Sequence, residues 1–341
     1  MTRDDPRPSR NSAALVALGL ALLAVVFGGA WALKVALTTP AGPSAASQQA
    51  ALPSPQSLNQ ALEASREYIR QNKAGSAVAI LQAAAEKWPQ EQAVRLLYGE
   101  ALLSVGRGED AYQQYDQAIQ IGPDNPEYRH VAGTIASAIG RLNEAEMHYL
   151  AAQQMDRSNP KYPLYLAQVQ RKQGLIDEAR ANLVLATNLD PTLGVAWASL
   201  AAIALDENRP SVALGYIKRA REVEPERLEW RLVEARALVR ESRPEQAAEL
   251  LLAVPASERL KNPAALKELG AALGMLGRTS DAAAMYVEAV SANPDDPEIA
   301  YEAALWLERD GQKGRAATFA SHAAAKGFGP ARALAERLDA E

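Results

Sequence analysis

Residues 92–125 read QAVRLLYGEALLSVGRGEDAYQQYDQAIQIGPDN. In the second half of this stretch, Ala111, Tyr115 and Ala118 are spaced by four and then three residues, which places them on one face of a helix. The first half carries a similar apolar stripe. Gly106 stands between the halves, where a helix commonly ends in a left-handed residue. The stretch therefore predicts two helices joined by a short turn.

The same pattern recurs along most of the chain. Its central alanine returns every 34 residues, and once after 35, at Ala77, Ala111, Ala145, Ala179, Ala213, Ala247, Ala282 and Ala316. Four residues later stands a larger apolar side chain in all but the last case: Leu81, Tyr115, Tyr149, Leu183, Ile217, Leu251 and Tyr286. Helices lined by small residues approach closely, and one large side chain fills the space that several small ones leave. The period predicts eight helix-turn-helix units, starting at Leu58, Gln92, Pro126, Pro160, Gly194, Leu228, Pro263 and Pro297.

This repeat accounts for an unusual composition. The chain has 341 residues, of which 48% are hydrophobic but only 6% aromatic. A chain of this length ordinarily forms about two globular domains, whereas a repeat array grows without a central core and can be packed with alanine. The absence of cysteine from the sequence excludes disulfides, thiolate zinc sites and a cysteine nucleophile. A net charge of −5 argues against nucleic acid as a partner, because that binding depends on Lys and Arg.

A 34-residue unit of this form resembles the tetratricopeptide repeat, whose signature is W-x2-L-G-x2-Y, then A-x3-F, then P. Trp197 and Leu200 match two signature positions in one repeat, and Leu269 with Gly270 match two in another. The resemblance covers residues 58–330. It implies an all-α fold, a right-handed superhelical solenoid of about eight tetratricopeptide repeats.

Two places near the end of the array depart from the pattern. The sixth repeat contains one extra residue, and we expect a loosened loop over residues 255–262. The eighth repeat has Phe328 where proline is usual. Residues 331–341 are expected to form a capping helix, because the last apolar face of an open-ended solenoid has to be covered.

The N-terminal residues predict one transmembrane helix. Residues 13–37 form the predicted anchor, since the segment is uncharged from 13 to 33 and long enough to span the hydrocarbon layer. Residues 1–12 are a basic tail with three arginines, which the positive-inside rule places in the cytoplasm. The alternative is a cleaved signal peptide, because the Ala-Trp-Ala at 30–32 has the small-x-small form of a cleavage site. Residues 38–57, rich in Pro, Ala, Ser and Gln, are expected to be an extended linker.

This order of segments predicts the placement of the protein. We expect a single-pass membrane protein with a cytoplasmic N-terminus. The repeat array then lies on the extracytoplasmic side of the membrane, in the periplasm if the protein is bacterial.

The sequence offers no constellation for catalysis. His130, His148 and His322 lack metal-ligand spacing, and each is interpreted as an ordinary helix histidine. The sequence contains no phosphate-binding loop and no serine nucleophile elbow. The acidic pair at 295–296 follows a proline, where it would cap a helix. We therefore expect a protein that is not an enzyme, with no cofactor, no metal and no small-molecule substrate.

The resemblance also implies a groove. Tetratricopeptide arrays bind partners along a concave surface formed by the first helix of each repeat. The groove residues carried over to this chain are Leu62, Arg66, Leu96, Glu100, His130, Leu164, Arg171, Lys172, Leu232, Arg236, Arg240, Lys267 and Tyr301. Basic groups above an apolar floor suit a peptide or protein partner with acidic and apolar groups. The alternative interpretation is a solvated helix face that binds nothing.

The function implied is a non-enzymatic protein–protein interaction scaffold. With the predicted anchor, it would be a membrane-tethered domain that binds partners in its groove for assembly of an envelope complex. The alternative is an accessory subunit of an extracytoplasmic biogenesis or export machine that handles polysaccharide, lipid or cytochrome. A receptor for chaperone C-termini is disfavoured, because no repeat combines Lys and Asn at its fifth and ninth places, as Lys267 with Ala271 shows.

Overall fold

The computed structural model describes residues 55–340, and this part of the chain contains eighteen α-helices and no strand. The all-α prediction is therefore confirmed. Contacts divide the described residues into two compact units, with the boundary between Asn182 and Leu183. Within each unit, most helices pack against the next helix along the chain, as in a solenoid. The right-handed superhelix stays a prediction.

The first unit contains seven complete helices. They are α1 (Leu58–Arg70), α2 (Ala74–Lys87), α3 (Gln92–Ser104), α4 (Gly108–Ile121), α5 (Pro126–Ala138), α6 (Leu142–Met155) and α7 (Lys161–Gln173). The next helix, α8 (Ile176–Leu189), begins in the first unit and ends in the second. The pairs α1–α2, α3–α4 and α5–α6 each correspond to one 34-residue repeat.

The second unit contains ten further helices. They are α9 (Gly194–Asp206), α10 (Pro210–Val223), α11 (Leu228–Arg240), α12 (Pro244–Leu252), α13 (Ala256–Arg259), α14 (Pro263–Met275), α15 (Thr279–Ala292), α16 (Pro297–Arg309), α17 (Lys313–Ala325) and α18 (Gly329–Ala340). The last helix occupies the predicted place of the capping helix. It buries Ala331, Leu334 and Leu338.

The turn inside each repeat is set by one residue in the left-handed conformation. Gly106 has φ of 77°, and Asn208, which the pattern places at the same point of another repeat, has φ of 56°. Asn72 and Ser242 also adopt positive φ in their repeats, although neither is a glycine. A polar side chain can therefore replace glycine at this turn, at the steric cost that a Cβ carries in the left-handed region.

The prediction of a loosened loop over residues 255–262 is wrong. The structure has the one-turn helix α13 there, and it buries Val254 and Leu260 on either side. The Arg259 guanidinium donates to the carbonyl oxygens of Val254 and Leu252 at 2.8 and 3.2 Å. Helix α12 therefore ends early, and the extra residue is accommodated in the short helix that follows. The early end is possible because the Arg259 side chain donates to carbonyl groups that the shortened helix leaves without partners.

The periodic alanines form the core as the pattern predicted. All eight have no exposed surface: Ala77, Ala111, Ala145, Ala179, Ala213, Ala247, Ala282 and Ala316. The large residues four positions later are buried beside them. The tightest of these contacts joins Gly99 of α3 to Tyr115 of α4, where an added Cβ would lie 2.7 Å from two ring carbons of the tyrosine.

We expect Gly99→Ala to destabilise the protein. The Tyr115 ring is buried and has little room to move, so overpacking should outweigh the better helix propensity of alanine and cost about 1–2 kcal/mol. Gly215→Ala is the matched control, because Gly215 lies inside α10 with nothing within 4 Å of an added Cβ. That change should stabilise the protein by about 0.5–1 kcal/mol. Urea unfolding would measure both, and an equal gain for the two variants would contradict the close contact.

The predicted membrane segments lie outside the described residues. This holds for the basic tail at 1–12, the anchor at 13–37 and all but the last residues of the linker at 38–57. Among residues 55–340, no helix combines the length and the apolar character that crossing a bilayer requires.

Candidate partner-binding groove

In the first unit, the predicted apolar floor is mostly core. Leu62 and Leu164 are buried, and Leu96 is half-buried and packs against the core cluster. Glu100 is half-buried, and burial raises the pKa of its carboxyl although Arg66 lies near enough to lower it. These side chains contribute mainly to packing between helices, which leaves little apolar surface for a partner.

Five of the predicted basic groups, from both units, are engaged within the chain. In the first unit, Arg66 pairs with its helix neighbour Glu63 at 2.8 Å, and the Lys172 amine donates to the Ser137 hydroxyl at 3.1 Å. Arg171 has an interaction as well. In the second unit, Arg236 pairs with the buried Glu268 at 2.7 Å, and Arg240 donates to the carbonyl oxygen of Leu205. A partner carboxylate would have to compete with these contacts.

His130 lies within an aromatic cluster of the first unit. Its ring centroid is 4.8 Å from that of Tyr165 and 5.9 Å from those of Tyr149 and Tyr162. Burial lowers the pKa of His130 to about 4, although the Glu127 carboxylate, 4.0 Å from Nδ1, acts in the opposite direction. The Nε2 atom is buried without a hydrogen-bond partner. The neutral ring is therefore part of the packing between α5, α6 and α7.

The second unit contains an open apolar groove between α14 and α16. It has a volume of about 780 Å³ and brings together two of the predicted residues, Lys267 and Tyr301. Leu266 and Trp306 are buried at its floor, and Met275 stands at its rim with 51% of its surface exposed. We call this site the α14–α16 groove. Its volume and apolar lining are in the range of ligand-binding pockets in proteins.

Glycine on α14 shapes the floor of the groove. A Cβ on Gly274 would lie 2.7 Å from Cη2 of Trp306, so the indole can lie against the α14 backbone only because that side chain is absent. The indole also stacks with the Tyr286 ring at a centroid distance of 6.4 Å and an interplanar angle of 16°. The Arg309 guanidinium covers the indole at 4.6 Å from its centroid. These contacts hold the aromatic floor in one orientation.

One wall of the groove is acidic. Glu298 and Glu302 lie one turn apart on α16 and both line the groove. Burial raises the pKa of the half-buried Glu302, the charges of Arg309 and Lys267 only partly oppose this rise, and Glu298 adds a smaller rise. A further cation near Glu302 would therefore stabilise its ionised form.

The groove residues carried over from the family did not include Trp306, Met275 or Glu302. One feature of the sequence could have indicated Trp306. Gly270 is followed one helical turn later by a second glycine, Gly274. Two glycines on one face of a helix leave room for a large side chain from a neighbour. The sequence alone does not show that this neighbour is Trp306.

Two family models match the chain, and both describe the tetratricopeptide repeat. One matches residues 68–135 and the other matches 199–265 and 267–330, which together make up more than half of the chain. The chain belongs to the tetratricopeptide repeat family. This confirms the family that the 34-residue signature indicated.

Solved structures resemble this tetratricopeptide repeat protein in fold. A tetratricopeptide repeat protein from Parabacteroides merdae is 16% identical, with a TM-score of 0.50 over 82% of this chain and 98% of that one. The Cut9-Hcn1 hetero-tetramer of the APC/C contains a chain that is 16% identical, with a TM-score of 0.51 over 83% of this chain and 56% of that one. YrrB, a TPR protein with an unusual peptide-binding site, is 15% identical, with a TM-score of 0.46 over 50% of this chain and 88% of that one. No curated protein matches the sequence.

The described part of this tetratricopeptide repeat protein holds no group of three or more histidine or carboxylate side chains placed to bind a metal ion. Of the three histidines, His148 is buried and hydrogen-bonded to the Tyr112 hydroxyl at 3.2 Å, and burial together with Arg129 lowers its pKa. His322 is exposed. The α14–α16 groove has the volume and the apolar lining to hold a ligand.

Proposed function

We propose that this protein is a membrane-tethered scaffold, which holds a partner protein in the α14–α16 groove during assembly of an envelope complex. Tetratricopeptide repeats indicate a protein–protein interaction scaffold. The observation that carries the binding part is the groove itself, which presents an exposed methionine and a preorganised aromatic floor. Apolar and aromatic surfaces of this kind are what peptide-binding grooves offer to an anchor side chain.

The proposed membrane tether is inferred from the sequence of the first 57 residues. An uncharged stretch long enough to span a bilayer follows three arginines, and a proline-rich stretch separates it from the first repeat. Protease added to intact spheroplasts should digest the repeat array and spare the N-terminal tail. Protection of the array would contradict the proposed orientation, and a mature chain beginning near residue 33 would contradict the anchor.

Site-specific cross-linking in the producing cell tests the groove. A photo-crosslinking amino acid placed at Met275 should trap a partner protein, because this side chain lies at the groove rim. The matched control is the same amino acid at Leu252, which is comparably exposed at 46% but belongs to α12 and does not line the groove. We expect a defined adduct from the first position and none from the second. The absence of an adduct at Met275, or the same adduct at both positions, would contradict the proposal.

The acidic character expected of the partner stays a prediction. It is based on basic side chains of the first helices, and five of these already have partners in the chain.

A further inference from the structure

The acidic wall of the α14–α16 groove lacks a close cation. Among residues 55–340, neither the exposed Glu298 nor the half-buried Glu302 forms an ion pair within 4.0 Å, whereas Glu268 and Glu308 of the same unit do. Like charges one helical turn apart repel each other, so the two carboxylates destabilise this wall. The half-buried position of Glu302 adds to this, since it has lost part of its hydration.

The cations that act on Glu302 do not fully offset the repulsion between the two carboxylates and the lost hydration of Glu302. Arg309 is held over the face of Trp306, and the electrostatic attraction of the aromatic ring favours that position. Lys267 is exposed and belongs to α14, the opposite wall of the groove. Both residues lower the pKa of Glu302, but desolvation remains the larger effect and the pKa is raised overall. The wall can therefore accept one more positive charge from outside.

We infer that the α14–α16 groove binds a peptide segment in which a large apolar side chain is directly adjacent to a lysine or arginine. The inference rests on the proposed function, since it specifies the partner of the same groove. The apolar side chain packs on Leu266 and Trp306 beneath Met275, whose flexible thioether adapts to its shape. The cation reaches Glu302 and Glu298, and its alkyl stem covers apolar surface on the way.

The volume of the groove supports a segment rather than a single side chain. About 780 Å³ exceeds what one apolar side chain fills, so neighbouring residues of the segment also enter. A segment with an acidic group in place of the cation would bring a third carboxylate to the α16 wall. Such a segment is disfavoured by like-charge repulsion in a partly desolvated site.

Three synthetic peptides test the inference on the full chain. They share the sequence Gly-Ser-Ala-Trp-X-Leu-Ala-Ser-Gly and have lysine, norleucine or glutamate at X, so that only the charge beside the apolar anchor differs. Isothermal titration calorimetry measures their affinities. We expect the lysine peptide to bind about tenfold more tightly than the norleucine peptide, and the glutamate peptide to bind most weakly.

Two variants locate the effect. Glu302→Gln keeps the size of the side chain and removes its charge, and it should abolish the preference for lysine while leaving the norleucine peptide unchanged. Glu288→Gln is the matched control, because Glu288 is exposed on α15 and does not line the groove. The affinity for the lysine peptide should also increase as the pH rises through the raised pKa of Glu302, because the ionised form binds the cation. The Glu302→Gln variant should lack this increase.

The outcomes separate the two proposals. If none of the three peptides binds, the α14–α16 groove is not a site for this class of peptide, and both the inference and the binding part of the proposed function are overturned. Equal binding of the three peptides, or an unchanged lysine preference in Glu302→Gln, overturns the inference and leaves the groove as an apolar binding site. Tighter binding of the glutamate peptide overturns the inference and supports the acidic partner predicted from sequence.

Discussion

Replacing Leu251 by alanine is expected to lower the free energy of unfolding by about 2–5 kcal/mol. Leu251 has no exposed surface and belongs to the same apolar cluster as Leu238, Leu266 and Ala282. It is the large side chain that fills the space between small residues in its repeat. Alanine would remove that side chain and leave a cavity, because rigid neighbouring helices collapse only partly.

The next residue along the chain provides the control. Leu252 belongs to the same helix and has the same side chain, but 46% of its surface is exposed. We expect Leu252→Ala to change the free energy of unfolding by less than about 0.5 kcal/mol. Urea unfolding of the full chain, followed by far-ultraviolet circular dichroism, measures both. Equal losses for the two variants would show that burial in the repeat core is not the cause.

Acidification from pH 7 to pH 5 is expected to destabilise the first unit by about 2 kcal/mol through His130 alone. Burial among three tyrosines lowers the pKa of this histidine to about 4, from an ordinary value near 6.5. The unfolded chain therefore takes up a proton at a higher pH than the folded chain does. The stability that the neutral ring provides is present above pH 6.5 and is lost as the pH falls toward 4.

The groups around His130 determine the size of this effect. Glu127, 4.0 Å from Nδ1, favours the protonated ring and reduces the shift, whereas Lys161 at the start of α7 opposes protonation. His148 adds a loss of the same sign, because its pKa is also lowered by burial. Protonated His130 would have a buried positive charge and only one carboxylate near it.

A substitution isolates the contribution of His130. His130→Phe keeps a ring in the aromatic cluster but cannot take up a proton, so its free energy of unfolding should fall by about 2 kcal/mol less than that of the wild type between pH 7 and pH 5. His322→Phe replaces an exposed histidine and reports the effect of an extra phenylalanine. The comparison of two pH values for each chain cancels the carboxylates that all three chains share. Parallel pH profiles for wild type and His130→Phe would contradict the buried, neutral histidine.

The repeat and the position of its core could be predicted from sequence because they depend on local rules. An alanine every 34 residues specifies one face of a helix, and Gly106 or Asn208 specifies the turn before it. Each repeat packs mainly on its neighbours, so the same position of successive repeats is buried to a similar extent. The prediction was wrong where a repeat changed length, at residues 255–262, because the side chain of Arg259 determines which carbonyls are satisfied there.

The α14–α16 groove could be predicted from the sequence only in part. The groove residues carried over from the family included Lys267 and Tyr301, which do line the α14–α16 groove. They also included Leu62, Leu164 and His130, which contribute to packing in the first unit. The position of a residue within the repeat identifies which helix face it occupies. Whether that residue remains exposed depends on the size of side chains on the neighbouring helices, and these differ from repeat to repeat.

The sequence by itself therefore determined the family, the all-α architecture and the alanine-lined core, because helical periodicity and turn chemistry act over a few residues. The tertiary structure alone decided which basic groups were already paired, as Arg236 is with Glu268, and where apolar surface stayed open. The physical reason is that these contacts join residues far apart along the chain, which local sequence rules do not relate. Trp306 lies against the backbone of Gly274, and Glu302 lacks a close cation, only because of how two helices from successive repeats meet.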